Sequence, residues 1–177
     1  MSAAIVERPP TTEYAEPLAR YVSRVPEADI LETLAGQSDE WGTALGGIRG
    51  EGEHLRYAEG KWSIRQLAGH VVDSERIFAY RALCVARGET QPLPGFEEDE
   101  YVAGASFDEC PLADLVQEFL HVRAAHVSFF GHLSPEAWQR IGTVNGHPLS
   151  VRAAAYVMVG HVRHHLAVLN ERYLPRL

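Results

Sequence analysis

Cysteine is scarce in this chain. Only Cys84 and Cys110 are present among 177 residues, too few for a secreted disulfide framework and without the close spacing of a zinc ribbon or a CxxC redox pair. They read as ordinary thiols of a reducing compartment, so a cytoplasmic protein is expected. Long apolar runs are missing as well. The longest, Ala153 to Val159, falls far short of the roughly 20 residues needed to cross a bilayer, and no membrane role is expected. Basic residues are outnumbered, with 16 Lys and Arg against 24 Asp and Glu for a formal net charge of −8. Duplex binding would have to overcome repulsion from the phosphate backbone, so nucleic acid is not expected as a partner. Residues 1–10 have neither the basic start and apolar stretch of a secretory signal nor an arginine-rich import pattern. Residues 1–15 are read as a flexible N-terminal tail and 16–177 as a single helical domain.

What is present is a large apolar fraction, 46%, enough for a core in one domain of this length. Apolar residues return every three or four positions, and β-branched alternation is missing, which predicts helices near 27–48, 63–87, 111–132 and 149–173. Ser63 followed by Gln66 is a capping-box arrangement at the start of the second helix, and Gly88 closes it. Pro111 suits the first turn of the third helix, where a missing N–H costs nothing. Ser134-Pro135-Glu136 predicts a short extra helical turn, and Asn145-Gly146 a tight turn before the last helix. The economical architecture is all-α, a four-helix bundle. The long connection 89–110, with Pro92, Pro94, Gly95 and the acidic run Glu97-Glu98-Asp99-Glu100, reads as a solvated loop or as a cover over one bundle end.

Nine histidines carry the chemical information, and helical phase sorts them. At about 100° per residue, His161 and His165 fall within the apolar stripe of the last helix, whereas His164 sits nearer its margin. Residues four apart on a helix can converge their ring nitrogens on one ion, the physical content of a helical HxxxH pair. Alone, such a pair could equally be two core histidines with satisfied N–H groups. His70 lies close to the apolar arc of the second helix, with Ser74 one turn further along, so it too should face the interior. Three inward histidines on two helices can form a three-nitrogen site with a coordination position left open. His121 and His126 diverge around the third helix, His121 and His132 are separated by three turns, and His54 and His147 fall in loops. These five are read as surface or packing residues, with His147 set apart because its loop leads into the last helix.

The segments Lys61-Trp62-Ser63-Ile64-Arg65-Gln66 with Gly69-His70, Leu93-Pro94-Gly95-Phe96-Glu97-Glu98-Asp99-Glu100-Tyr101, Asn145-Gly146-His147-Pro148-Leu149-Ser150 and Gly160-His161-Val162-Arg163-His164-His165-Leu166 together resemble the DinB-like (YfiT-like) family of metal-binding bundles. That family is related to S-transferases that use mycothiol or bacillithiol. The resemblance implies an up-down-down-up bundle, a homodimer, and a metal triad on His70, His161 and His165, with Zn or Ni as the ion. It also implies that Trp62 packs near the start of the second helix.

Relatives often carry an acidic residue after the first histidine of the last helix, where this chain has Val162. A zincin-type protease mechanism, with that carboxylate as general base, is therefore unsupported. A base would have to come from Asp73, Glu75 or the 97–100 run, and Asp73 could instead orient an imidazole or simply be solvated. Arg81 lies on the same side as His70 and could meet an anionic group, or serve a surface or capping role. The expected activity is metal-dependent chemistry on a small molecule. The ion would activate a water for hydrolysis or a low-molecular-weight thiol for transfer to an electrophile. The alternative is a non-catalytic metal-binding module that senses stress or docks a partner.

Overall fold

Each helix predicted from apolar spacing forms, with ends trimmed by a few residues, in a computed structural model that describes residues 6–177. In chain order the elements are α1 (Ala19–Val22), α2 (Ile30–Leu45), α3 (Ile64–Ala86), α4 (Glu98–Gly104), α5 (Leu112–Gly131), α6 (Pro135–Gln139), β1 (Ile141–Val144), β2 (His147–Ser150) and α7 (Val151–Val168). A π-helical turn, Leu169–Tyr173, continues α7. The caps follow the sequence. The Ser63 hydroxyl accepts from the Gln66 amide at 3.0 Å, and the Gln66 side chain accepts from the Ser63 amide at 3.1 Å. At the other end of α3, Gly88 takes φ 84°. The amides of Gly88 and Glu89 then return to the carbonyls of Val85 and Cys84, so the last carbonyls are satisfied in a Schellman arrangement.

The four long helices, α2, α3, α5 and α7, form a four-helix bundle in which α2 and α3 each pack against both α5 and α7. Their directions follow from who meets whom. Tyr156 reaches Glu27, Gln37 donates to the Val159 carbonyl, and Thr43 and Ala44 lie near Leu166 and Asn170, so α2 and α7 run parallel. His70 faces His165 while Phe78 faces His161, so α3 runs against α7. The Ser63 hydroxyl bonds Asp108 just ahead of α5, placing the starts of α3 and α5 side by side. The order is up-down-down-up.

Two adjacent parallel helices force the connection between them to travel back along the bundle. Residues 87–111 therefore run beside α3 and carry α4. The stretch is not a structureless loop: its acidic run is solvent-exposed, as a solvated segment would be, but Glu98, Asp99 and Glu100 form the first turn of α4, where negative charge complements the helix dipole. The crossover is pinned at both ends. Leu93 bonds Thr143 and Asn145 through its backbone, and Asp108 receives Arg56 at 2.8 Å while its carbonyl accepts from Arg65 at 2.7 Å.

The turn expected at Asn145-Gly146 closes a two-stranded antiparallel hairpin, β1 with β2. Both turn residues have positive φ, 50° and 75°, which matches the twist of tight hairpins. Of the stretch read as a flexible tail, residues 1–5 lie outside the described residues. From Val6 onward the chain packs on the bundle. Arg8 donates to the carbonyls of Val25 and Val22 at 2.6 and 2.7 Å, and Glu13 is held by Arg152 through two hydrogen bonds of 2.8 and 2.5 Å.

The buried side chains form two clusters. One gathers Phe78, Ala82, Val151 and residues 153–159 of α7, and the other Trp41, Leu67, Val71, Phe119, Val162 and Leu169. Among the described residues no helix is long and apolar enough to cross a membrane.

Candidate metal centre

His161 and His165 lie on α7 at the junction of the two apolar clusters, and His70 meets them from α3. All three are buried. Nε2 of His161 is 3.0 Å from Nε2 of His70 and 3.1 Å from Nε2 of His165. One ligand atom from each lies within 4.8 Å of the others, the group among the described residues able to hold a metal ion. Three nitrogens each about 2.0 to 2.1 Å from a common ion stand roughly 2.9 to 3.4 Å apart when the angles at the ion lie between square and tetrahedral. The donor set fits a divalent cation.

Electrostatics agree with that fit. Burial pushes His70 down to about 4, against a small opposing influence from Asp99. His161 and His165 fall well below the ordinary imidazole range, first through burial and then through the charges of His70, His164 and Arg20, with His165 adding to the effect on His161. At neutral pH the rings are unprotonated, the state in which imidazole ligates. The Nδ1 atom of His165 is buried with no partner.

Aromatic rings fix the imidazoles from outside. Trp62 sits 4.6 Å, centroid to centroid, from His70 and stacks along His165 at 6.5 Å. Tyr21 of α1 stands edge-on to His161 at 5.2 Å. Gly160 allows this approach, since a Cβ there would lie 2.0 Å from the Tyr21 carbonyl. Cavities open on either side of the triad. One of about 250 Å³ reaches His161 and is lined by Tyr21, Ser74, Phe78, Arg81 and Phe96. The other, about 390 Å³, reaches His165 beside Trp62, His164 and Asp99. Glu98 borders both.

The other candidates disperse. Asp73 is not brought to the triad. Its ionic neighbours are Arg76 and Glu118, no hydrogen bond joins it to a triad imidazole, and burial raises its pKa. Glu75 is spent elsewhere: Arg123 grips it at 2.6 and 2.9 Å deep between α3 and α5, with His126 at 3.4 Å. Burial works to raise the Glu75 pKa, but Arg123 and His126 outweigh it and hold it low. Of the 97–100 run, Glu98 and Asp99 are the members beside the cavities. His54, His121 and His132 are exposed, and His147 lines the cavity at His161. Sequence reasoning missed Tyr21 and the place of α1 beside the triad, for which four helical residues give no periodic signal.

A four-helix bundle with a buried three-histidine cluster, flanked by cavities of about 250 and 390 Å³, defines a metal-binding class of helical protein. The chain belongs to the DinB superfamily, whose family model matches residues 43–169. It is 23% identical over 139 residues, 77% of this chain and 79% of the relative, to a protein of Oceanobacillus iheyensis named "Putative metal-dependent hydrolase". Its fold is similar to that of YfiT from Bacillus subtilis, described as "a probable metal-dependent hydrolase with an unusual four-helix bundle topology". The TM-score is 0.70 at 15% identity, over 93% of this chain and 91% of YfiT.

Proposed function

We propose that this chain is a metal-dependent hydrolase of a small molecule, with a divalent ion such as Zn or Ni held by His70, His161 and His165. The observation that carries the reading is the convergence of three buried, unprotonated imidazoles with a cavity on each side. Three protein ligands leave a position open, as catalytic sites require, whereas structural zinc is normally closed by four. The names of the relatives point the same way.

Bound there, the ion would supply Lewis acidity, polarising a substrate carbonyl and making water a nucleophile near neutral pH. The chain's own groups do the rest. Arg20 donates to the Tyr21 hydroxyl at 2.7 Å, which leaves the phenolic proton for a developing oxyanion. Burial is the chief cause of the raised Tyr21 pKa, so that proton is retained. Glu98, at the rim of both cavities, takes up the proton released from water. Trp62 and Tyr21 hold the imidazoles and exclude bulk solvent. Nothing in the site favours a thiol over water as the nucleophile.

The test is turnover of a panel of small esters, amides and lactones by metal-loaded protein and by His165→Ala. Hydrolysis that follows metal content and disappears in the variant supports the reading. A metal-loaded chain that turns over none of the panel moves a non-catalytic metal-binding module ahead of it.

A further inference from the structure

Two arginines are buried in this fold, Arg81 and Arg123, and they are treated differently. Arg123 has a carboxylate, Glu75. Arg81 has none within ion-pair reach among the described residues. It spends one N–H on the Pro94 carbonyl at 2.9 Å and lies against two aromatic faces, Phe78 at 5.3 Å and Phe96 at 5.5 Å. A buried cation without a counter-charge is costly unless something supplies one.

Arg81 lines the cavity that reaches His161. So does Ser74, one turn along α3 from His70, whose hydroxyl is buried and has no hydrogen-bond partner. A guanidinium fork with open edges and a lone hydroxyl in one cavity form the donor set for a planar anion. We propose that this cavity is the subsite for the carboxylate of a small-molecule substrate, received by Arg81 and Ser74, while the bond to be broken lies at the histidine triad. The inference rests on the hydrolase reading for that second half.

Charge and geometry narrow the ligand. The chain carries a net charge of −8, yet this cavity is lined by Arg20 and Arg81 against a single carboxylate, Glu98. Glu98 at the rim opposes a second negative charge, which favours a monoanion over a phosphate dianion. Phe78 stands between the two ends. Its ring centroid is 6.5 Å from that of His161 and 5.3 Å from the Arg81 guanidinium. The substrate is thus an acid whose carboxylate and reactive bond are separated by an apolar or planar spacer lying over Phe78.

Binding tests this directly. Metal-loaded protein is titrated calorimetrically with phenylacetate and with its neutral counterpart, phenylacetamide. The acid is expected to bind about tenfold tighter or more. Arg81→Met should erase the preference, Arg81→Lys should keep part of it, and Ser74→Ala should weaken it without disturbing the packing of Arg81. Circular dichroism and metal content are read on each sample, and Ser74→Ala and Arg81→Lys carry the test if Arg81→Met does not fold. The same titration on His165→Ala separates direct coordination from the Arg81 site, and a retained acid preference supports the subsite. No acid preference in the wild type, or an undiminished one in folded Arg81→Met, overturns the proposal. A preference lost in His165→Ala but kept in Arg81→Met places the carboxylate at the triad, sinking the subsite and leaving the hydrolase reading intact. Arg81-dependent acid binding by a chain that holds no metal does the reverse.

Discussion

Nε2 of His70 and Nε2 of His161 stand 3.0 Å apart across the contact between α3 and α7. With both rings buried and unprotonated, the pair has at most a shared N–H to hold it together, and a third imidazole, His165, crowds the same point at 3.1 Å from His161. A divalent cation satisfies all three lone pairs at once. Untagged protein should therefore carry stoichiometric Zn or Ni by mass spectrometry. His161→Ala and His165→Ala should lose most of it, about tenfold or more, while His121→Ala, on the exposed side of α5, should keep it. Equal metal in every variant would place the ion elsewhere.

How far the sequence led depends on how local each signal is. His161 and His165 are found by phase because both lie on one helix, where about 100° per residue fixes their direction, and the caps at Ser63 and Gly88 are equally local. The connection 89–110 is ambiguous in the sequence because its path depends on α3 and α5 being parallel neighbours, which no window of residues states. Asn145-Gly146 reads as a turn, but the hairpin is set by pairing Ile141 with Ser150. Arg81 and Arg123 break the binary pattern outright. A charged residue is given a place in the core by partners far along the chain, 48 residues away for Arg123 and Glu75, and for Arg81 by packing against the crossover.

The network around Arg123 ties the bundle together. Its guanidinium reaches Glu75 on α3 as well as Gln37 and the Leu34 carbonyl on α2, at 2.8 and 3.1 Å, and Gln37 continues to Val159 on α7 at 2.9 Å. Removing one member strands a buried charge. Arg123→Met is expected to cost about 3 to 5 kcal/mol in urea unfolding. Glu75→Leu combined with Arg123→Met should recover much of the loss, because an apolar pair leaves no charge behind. A double variant as unstable as the single would mean that the network contributes net stability through its geometry.

Glu13 gives the chain an acid-sensitive latch. Its hydrogen bonds to Arg152 are the largest cause of its lowered pKa, outweighing the opposing effect of burial. A carboxylate depressed in the folded state contributes stability above its unfolded pKa, near 4.5. That stability is lost as pH falls through the lower, folded value. Glu13→Gln should thus destabilise the protein at pH 7 by about 1 to 3 kcal/mol, and the gap to wild type should close toward pH 3. The comparison is made by denaturant unfolding across that range. A gap that is constant with pH would show the loss to be one of packing rather than charge.

Gly160 and Gly36 separate backbone approach from helix propensity. At Gly160 an added Cβ would meet the Tyr21 carbonyl at 2.0 Å and its carbonyl carbon at 2.5 Å. Since these are backbone atoms, α1 itself must move. At Gly36, inside α2 and exposed, an added Cβ meets nothing within 4 Å. Gly36→Ala should therefore stabilise the protein by about 0.5 to 1 kcal/mol through helix propensity alone. Gly160→Ala gains the same propensity but should lose about 1 to 3 kcal/mol net through overpacking. Because Tyr21 stands edge-on to His161, displacing α1 also opens the wall of the triad. Metal should then dissociate faster from Gly160→Ala than from Gly36→Ala when a chelator is added. Equal dissociation rates would show that α1 closes the bundle without guarding the histidines.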